Sequence, residues 1–451
     1  MAERPKILYL LNYGSAVRNI VRGGAIQYLI EAGYDLVLFD VPDHSRDFIV
    51  EQFGDRLTLR DFKVPRIRGM ARMVQRLQTY VWRTKTNYRE LLATHGLSFG
   101  LGNYFQSILG YLLRWVPFGL WYKFVIGFAK CPEAEKLLDE FKPAGVVIAN
   151  PLADEAVIVG CAQRRGIYTA CVLESWDNLT NRGALYYYPD DLVVWNELVR
   201  GQAVRLHNYP PEQVYAFGIP SFDIYSRPEE YPPESEWRKD NELPPDGPVM
   251  VYSSVSKFIC DQEDVILDGI CKAREDGRLP KDLHILVRFH PKDDHKVYER
   301  FVGRPGVSIQ FPNKAFARVA NDPAMDSPMM LAATMRYASV VTNVFSTMCV
   351  DAMCNDTPAV VIGFDVSEVS YQRSVTKYVT YAHIKDLLEF DAVLHATSME
   401  ELIEYLAACL KDPNIKSAER RKCVDVEAHH PDGNAARNVS AFLVERMKAK
   451  E

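Results

Sequence analysis

Short apolar runs recur along this chain, each followed by a polar loop and then by apolar residues at helical spacing. Residues 6–14, KILYLLNYG, read as a buried strand; the loop GSAVRN follows, IVRGGAIQYLIEAGY has helical spacing, and DLVLFD is the next strand. The alternation returns with the strand AGVVIANP, the helical DEAVIVGCAQRRG and the strands YTACVLES and DLVVWN. Strands apolar throughout, alternating with helices, demand a parallel sheet covered on both faces, because each crossover helix must bury its apolar stripe against the sheet. A second series starts at residue 249 with VMVYSS, DVILDGICKARED and LHILVRFHP, and continues through SIQFP, SPMMLAATMRYA, SVVTNVFS, MCVDAMCN and PAVVIGFD. The expected class is α/β, with two Rossmann-like doubly wound domains facing a cleft.

Residues 226–248, rich in proline and acid, read as the linker between these series. The expected organisation is an N-terminal domain over 1–225, the linker, a C-terminal domain over 249–425, and a closing helix within 426–451 that can return to the N-terminal domain. In such sheets ligands bind outside the carboxyl ends of the strands. The length of 451 residues suffices for this. A net charge of −6 gives no overall pull toward nucleic acid. The nine cysteines form no C-x-x-C pair and their number is odd, which argues against a disulfide framework or zinc site and for a reducing, cytoplasmic compartment. The first apolar run ends at Asn12 and Gly14, too short for a signal-peptide core, and is expected to be a strand.

Three strand ends in the second series carry candidate chemistry. His290 follows LHILVRF, and Pro291 ends the ladder there. A histidine at that place can hold a phosphate oxygen or leaving group, with Arg288 and Lys292 favouring the same anion; it can also be a strand-end histidine bonded to a neighbouring loop. Ser346 and Thr347 open a helix after SVVTNVF, where free N–H groups and the helix dipole suit a phosphate, and Asp351 lies one turn inside, placed for a ribose hydroxyl. An N-cap serine with a solvated aspartate gives the same pattern. Ser253 and Ser254, in VYSSVS, sit at a third strand-to-loop switch, where hydroxyls are also ordinary turn formers.

The serine pair, then RFHP, then SVVTNVFSTMCVDAMCNDTPAVVIGFD resembles the donor half of GT-B fold glycosyltransferases. It looks most like the bacterial envelope-polysaccharide group that includes CDP-glycerol glycerophosphotransferases and capsule sialyl- and Kdo-transferases. The resemblance covers about residues 250–365 and is architectural elsewhere. It implies that His290, Ser346 and Thr347 hold the nucleotide phosphates and that Asp351 meets the ribose. The sequence departs in having FST where a serine pair is common and aspartate where glutamate is frequent. The implied function is transfer of a sugar from a UDP-, GDP-, CMP- or CDP-linked donor to a glycan or lipid-linked acceptor, with no further cofactor. A CDP-polyol phosphotransferase and a non-catalytic nucleotide-sugar or glycan-binding module have the same fold. So does a nucleotide-sugar 2-epimerase, for which a glycine pair is expected where this chain has NVFSTM.

Under this resemblance the N-terminal domain supplies acceptor binding and the base. In VLESWDNLTNRG, Glu174 ends a strand and Trp176, Asp177, Asn178 and Arg182 follow. A tryptophan face suits a sugar ring, and a carboxylate, Asp177 first, can take a proton from an acceptor hydroxyl; an Asx turn with Trp176 in the core is the plainer alternative. Asp154, with Glu155, is a second acidic candidate, and helix capping explains that pair equally well. Gly14, Ser15, Arg18 and Asn19 form the first strand-to-helix switch and can bind an acceptor hydroxyl or phosphate. His429 or His430 can return toward the cleft. No D-x-D motif stands out, so protein cations and helix dipoles are expected to neutralise the leaving group without a metal.

Residues 63–130 hold eleven Lys and Arg against the single acid Glu90, a net +10 in a chain of net −6. Within them YFQSILGYLLRWVPFGLWYKFVIGFA is apolar and aromatic, but Arg114, Pro117 and Lys123 interrupt it too often for a membrane span. The segment is expected to be a helical insertion that either packs on the N-terminal domain with a solvated basic face or rests on the cytoplasmic face of an anionic membrane.

Overall fold

The computed structural model describes residues 4–11, 14–64, 69–86, 101–116, 118–152, 154–180, 182–256, 259–290, 295–310, 327–429 and 431–450. Pro291, Lys292 and His430 lie outside these residues, as do Arg66, Arg68, Arg89 and Glu90. The chain forms two compact units, residues 1–223 with 431–451, and residues 224–430.

The first unit is built on seven parallel strands, β1 (Lys6–Leu10), β2 (Asp35–Phe39), β3 (Leu57–Arg60), β4 (Gly145–Ile148), β5 (Tyr168–Val172), β6 (Asp191–Val194) and β7 (Val214–Ala216). Their order is β3-β2-β1-β4-β5-β6-β7. Central strands β1 and β4 are apolar because both faces are covered: Leu8, Leu10, Val146 and Val147 are wholly buried. Building outward from β1 in one direction and from β4 in the other makes their junction the topological switch point, where crossovers leave for opposite faces.

The closing helix, Ala435–Lys450, returns to this sheet and buries Val439, Leu443 and Met447 in the core that holds Ile7, Val147 and Tyr168. Asp223, the last residue before the chain leaves the unit, accepts the Ala435 and Ala436 N–H groups at 2.8 and 2.9 Å and so caps that helix. Farther along, Arg446 makes a two-pronged pair with the wholly buried Asp191 (Nε at 2.7 Å, Nη2 at 2.9 Å), whose carboxylate also accepts the Tyr168 hydroxyl at 2.8 Å.

The second unit has six parallel strands, β8 (Val249–Ser253), β9 (His284–Arg288), β10 (Val307–Gln310), β11 (Val340–Asn343), β12 (Ala359–Ile362) and β13 (Leu394–Ala396). They are ordered β10-β9-β8-β11-β12-β13, with the switch between β8 and β11. The stretch expected as a linker is part of this unit. Its helix Glu234–Asp240 starts after Pro233, places Glu234 and Glu236 in the first turn, and buries Trp237 completely, with Nε1 donating to Thr334 Oγ1 at 3.2 Å. The prolines and acids that suggested a linker are helix-start residues around one large apolar anchor.

Residues 63–130 contribute helices Gly69–Arg83, Leu101–Leu113 and Phe118–Gly127. The first two meet backbone to backbone at Gly110, where an added Cβ would stand 2.4 Å from the Tyr80 carbonyl oxygen. Trp82, packed with Ala184 and Leu206, fixes the first helix to the unit.

Removing Arg446 strands the buried Asp191 charge with only its tyrosine partner. Arg446→Met should lower the stability of the first unit by about 2–3 kcal/mol in urea denaturation, less than the roughly 3–5 kcal/mol of a fully buried pair because Arg446 is part-exposed. Pairing it with Asp191→Asn should recover part of that loss, and purely additive losses would remove the pair from the account.

Candidate functional site

In the first unit the residues after β1, β4 and β5 meet at the carboxyl edge beside the switch point. Glu174, just beyond β5, donates its backbone N–H to the Ala149 carbonyl at 3.2 Å, so β4 and β5 together fix its position. Its carboxyl Oε2 accepts the hydroxyl of exposed Ser15 at 3.0 Å. Asn19, almost fully buried, donates from Nδ2 to the Glu174 carbonyl at 2.8 Å and accepts from Arg18 Nε (3.2 Å) and Ser221 Oγ (3.1 Å). These contacts come from a helix that widens into a π-helical turn over Val17–Arg22. Gly23 ends that turn so close to the Pro220–Ser221 backbone that a Cβ would lie 2.6 Å from the Ser221 nitrogen.

Glu174 is 2% exposed. Burial pushes its carboxyl from the usual 4.5 up to about 7, while Ser15, Arg182 and Asn178 pull the other way by favouring the ionised form, and the charge of Asp177 adds to the rise. The neighbours sort differently from their expected roles. Asp177 accepts Ser175 Oγ at 2.5 Å and Arg182 Nε at 2.9 Å, so both its oxygens are engaged. Trp176 is 6% exposed and lies in the packed interior instead of presenting an open face to a sugar. Asp154 is exposed on a short 3-10 turn after β4. Glu155 beside it is raised above the ordinary carboxylate range by burial, then by the charges of Asp40 and Asp154. Asp40, at the end of β2, was not singled out in the sequence; burial raises it too, and its Oδ2 is enclosed without a hydrogen-bond partner.

In the second unit the ends of β9, β8 and β11 are neighbours, which brings His290, the serine pair and the Ser346–Thr347 turn to one edge. Ser254 N–H donates to the Arg288 carbonyl at 2.9 Å, and Ser254 Oγ accepts the His290 N–H at 3.0 Å. The second serine of the pair therefore sets the backbone at His290, while Ser253 is the buried last residue of β8. Arg288 Nη1 reaches Gln310 Oε1 at 3.3 Å.

After β11, Phe345 adopts a left-handed φ of 34°, sparsely populated for a side chain of its size, and turns the chain sharply. Asn343 Oδ1 accepts the Ser346 N–H at 3.1 Å, and Ser346 Oγ accepts the Met348 N–H at 3.3 Å, so this hydroxyl supports the turn. Asp351, expected to meet a ribose, is buried and its Oδ1 accepts the Tyr225 hydroxyl at 2.6 Å. Nothing in the local sequence shows that partner, 126 residues away. His429 ends its segment at a left-handed φ of 52°, next to the unit boundary. An open depression at the ends of β12 and β13 is lined by Phe364, Asp365, Ser367, Glu368, Thr376 and Thr397. Its only sequence signal is the polar turn after PAVVIGFD. Among the described residues no cluster of three His, Cys, Asp or Glu is placed to hold a metal ion.

No family model and no curated protein matches the sequence. Solved structures do match over nearly the whole length. The UDP-GlcNAc 2-epimerase from Neisseria meningitidis, bound to UDP-GlcNAc, superposes with a TM-score of 0.57 at 10% identity, covering 98% of this chain and 100% of that one. The wall teichoic acid polymerase TagF, with CDPG, gives 0.53 at 12% identity over 99% and 90% of the two chains. A glycosyltransferase from Rickettsia africae gives 0.52 at 7% identity over 98% and 99%. The chain has the GT-B fold: two Rossmann-like α/β units with parallel sheets.

The Glu174 shift has a consequence for stability. Its folded-state pKa lies above the unfolded value, so the fold retains a proton that the unfolded chain releases, and stability falls as pH rises from 4.5 to about 7 and levels above that. Glu174→Gln should flatten this slope and be more stable than wild type at pH 8, by on the order of 2 kcal/mol. Urea denaturation of both proteins across that range, followed by tryptophan fluorescence, reads the difference; parallel curves would place Glu174 in the ordinary carboxylate range.

Proposed function

We propose that this protein is a glycosyltransferase that moves a sugar from a nucleotide-activated donor to an acceptor hydroxyl in surface-glycan or polysaccharide synthesis. The observation that carries the reading is the buried Glu174 carboxyl, raised to about 7 and already hydrogen-bonded to a hydroxyl, that of Ser15. A general base works best when its pKa lies near the operating pH. The acceptor O–H loses its proton to the Glu174 carboxylate, the acceptor oxygen bonds to the anomeric carbon, and the bond from that carbon to the nucleotide's phosphate oxygen breaks. Asp177, with both oxygens engaged, holds Arg182 and tunes Glu174.

The reading gives the donor nucleotide to the second unit. There His290, Arg288 and the Ser346–Thr347 turn face the negative charge that grows on the leaving group. For His290, Ser254 acts as a positioning residue through the backbone. Proteins of similar fold solved with UDP-GlcNAc and with CDPG support a nucleotide-linked donor.

The test is incubation with UDP-, GDP-, CMP- and CDP-linked donors, with and without acceptor glycans, scoring melting temperature, nucleotide release and products. Acceptor-dependent release of nucleotide with a new glycosidic bond is expected. Epimerised donor, or transfer of a polyol phosphate, would replace this reading with those reactions, and binding without turnover would make the chain a binding module. Glu174→Gln should lower turnover by roughly 10²-fold or more while leaving donor affinity within about twofold. His290→Ala should cost a similar factor, about 3 kcal/mol in the barrier. Ser346→Ala with Thr347→Val should chiefly weaken donor binding. Near-normal turnover in a folded Glu174→Gln would remove the base assignment.

A further inference from the structure

The helices of residues 69–127 turn apolar side chains outward. On Leu101–Leu113, Phe105 (77% exposed), Ile108, Leu109 and Leu112 (67%) recur at the spacing of one helical stripe, and that stripe faces away from the protein. Trp115 follows at 87% exposure, and on Phe118–Gly127 the apolar side chains Leu120 (66%) and Phe124 are exposed as well. On Gly69–Arg83, Met70 and Met73 are likewise exposed. An amphipathic helix of a globular protein normally buries such a stripe.

The inward sides of the same helices are tied down. Trp82 is 3% exposed and its Nε1 donates to the Leu179 carbonyl at 3.4 Å; Gln78 Nε2 donates to the Tyr186 carbonyl at 3.2 Å. The Tyr122 hydroxyl lies 2.5 Å from Gln163 Oε1 and from the Tyr188 carbonyl oxygen. The outward stripe is thus held in place by the fold.

Charge selects what covers it. Residues 69–86 and 101–130 contain no Asp or Glu, and exposed Arg72, Arg76, Arg114, Lys123 and Lys130 flank the apolar side chains. A second copy of this face would set those cations against their equals with no acid to pair them. An anionic lipid surface satisfies both features, since aromatic and aliphatic groups enter the headgroup region while Lys and Arg meet lipid phosphates. No helix among the described residues is long and apolar enough to cross a membrane, so the contact is peripheral.

We infer that helices Gly69–Arg83, Leu101–Leu113 and Phe118–Gly127 form a docking face for an anionic bilayer, with Phe105, Leu112, Trp115 and Leu120 inserted and the flanking cations on the headgroups. The inference stands apart from the transferase reading, because it rests on this face alone.

The full chain is floated with phosphatidylcholine vesicles and with vesicles that also contain phosphatidylglycerol, at low and high salt. Binding to the anionic vesicles should exceed binding to the neutral ones by roughly tenfold or more and fall with salt. Replacing Phe105, Leu112 and Trp115 together with serine should abolish flotation without lowering the melting temperature, since these side chains are exposed. Arg114→Glu with Lys123→Glu, a second and independent variant, should remove the preference for anionic lipid. Absence of flotation with either vesicle, equal flotation with both, or a triple variant that floats like wild type overturns the inference. So does wild-type self-association in sedimentation that the triple variant loses, because a second copy would then cover the face.

Discussion

Each sheet of this protein reverses its building direction once, between β1 and β4 and again between β8 and β11, and everything functional in the account depends on that reversal. A parallel sheet must be covered on both faces, so its side chains are committed to packing and its strand interiors have nothing to offer a ligand. At the reversal the crossovers depart to opposite faces, and the strand ends there are left with loops in place of packed helices. The polar side chains gathered at those ends and at the adjoining ends of β5 and β9 are Ser15, Asn19 and Glu174 in one unit and Ser254, His290 and Ser346 in the other.

The two edges use their polar groups differently. In the first unit the fold places a carboxyl where burial raises it to about 7 and surrounds it with groups that favour its charge: Ser15, Asn178 and, through space, Arg182. A wholly apolar surround would make Glu174 a permanent acid, and a solvated one an ordinary carboxylate; the mixture holds it poised between the two. In the second unit most of the hydrogen bonding is spent on backbone geometry. Ser254 fixes the backbone at His290, Asn343 fixes it at Ser346, and Phe345 bears a left-handed φ that turns the chain between β11 and the helix after it.

Much of this was legible in the sequence, because buried parallel strands must be continuously apolar and must alternate with helices. Ser15, Asn19, Glu174, Ser254, His290 and Ser346 stand out in the sequence as polar residues next to strand ends, a strictly local signal. What local sequence does not contain is the partner. Asp177 and Glu174 are both acids after one strand, and only the fold shows that Asp177 spends its oxygens on Ser175 and Arg182 while Glu174 is enclosed. Asp351 meets Tyr225, and Trp176 proves interior, for the same reason. Over residues 226–248 composition suggests a linker because it averages over a segment, whereas one side chain, Trp237, decides where the segment packs. The π-helical turn at Val17–Arg22 has no sequence period of its own.

The central claim is that the first unit holds Glu174 ready to take a proton near neutral pH. The direct measurement is a carbon-13 NMR titration of protein labelled at glutamate carboxyl carbons, with Glu174→Gln used to assign the resonance. A midpoint near 7 for the signal missing from that variant is the predicted result. A midpoint near the ordinary 4.5 would contradict the account at its root, whatever reaction the protein is found to perform.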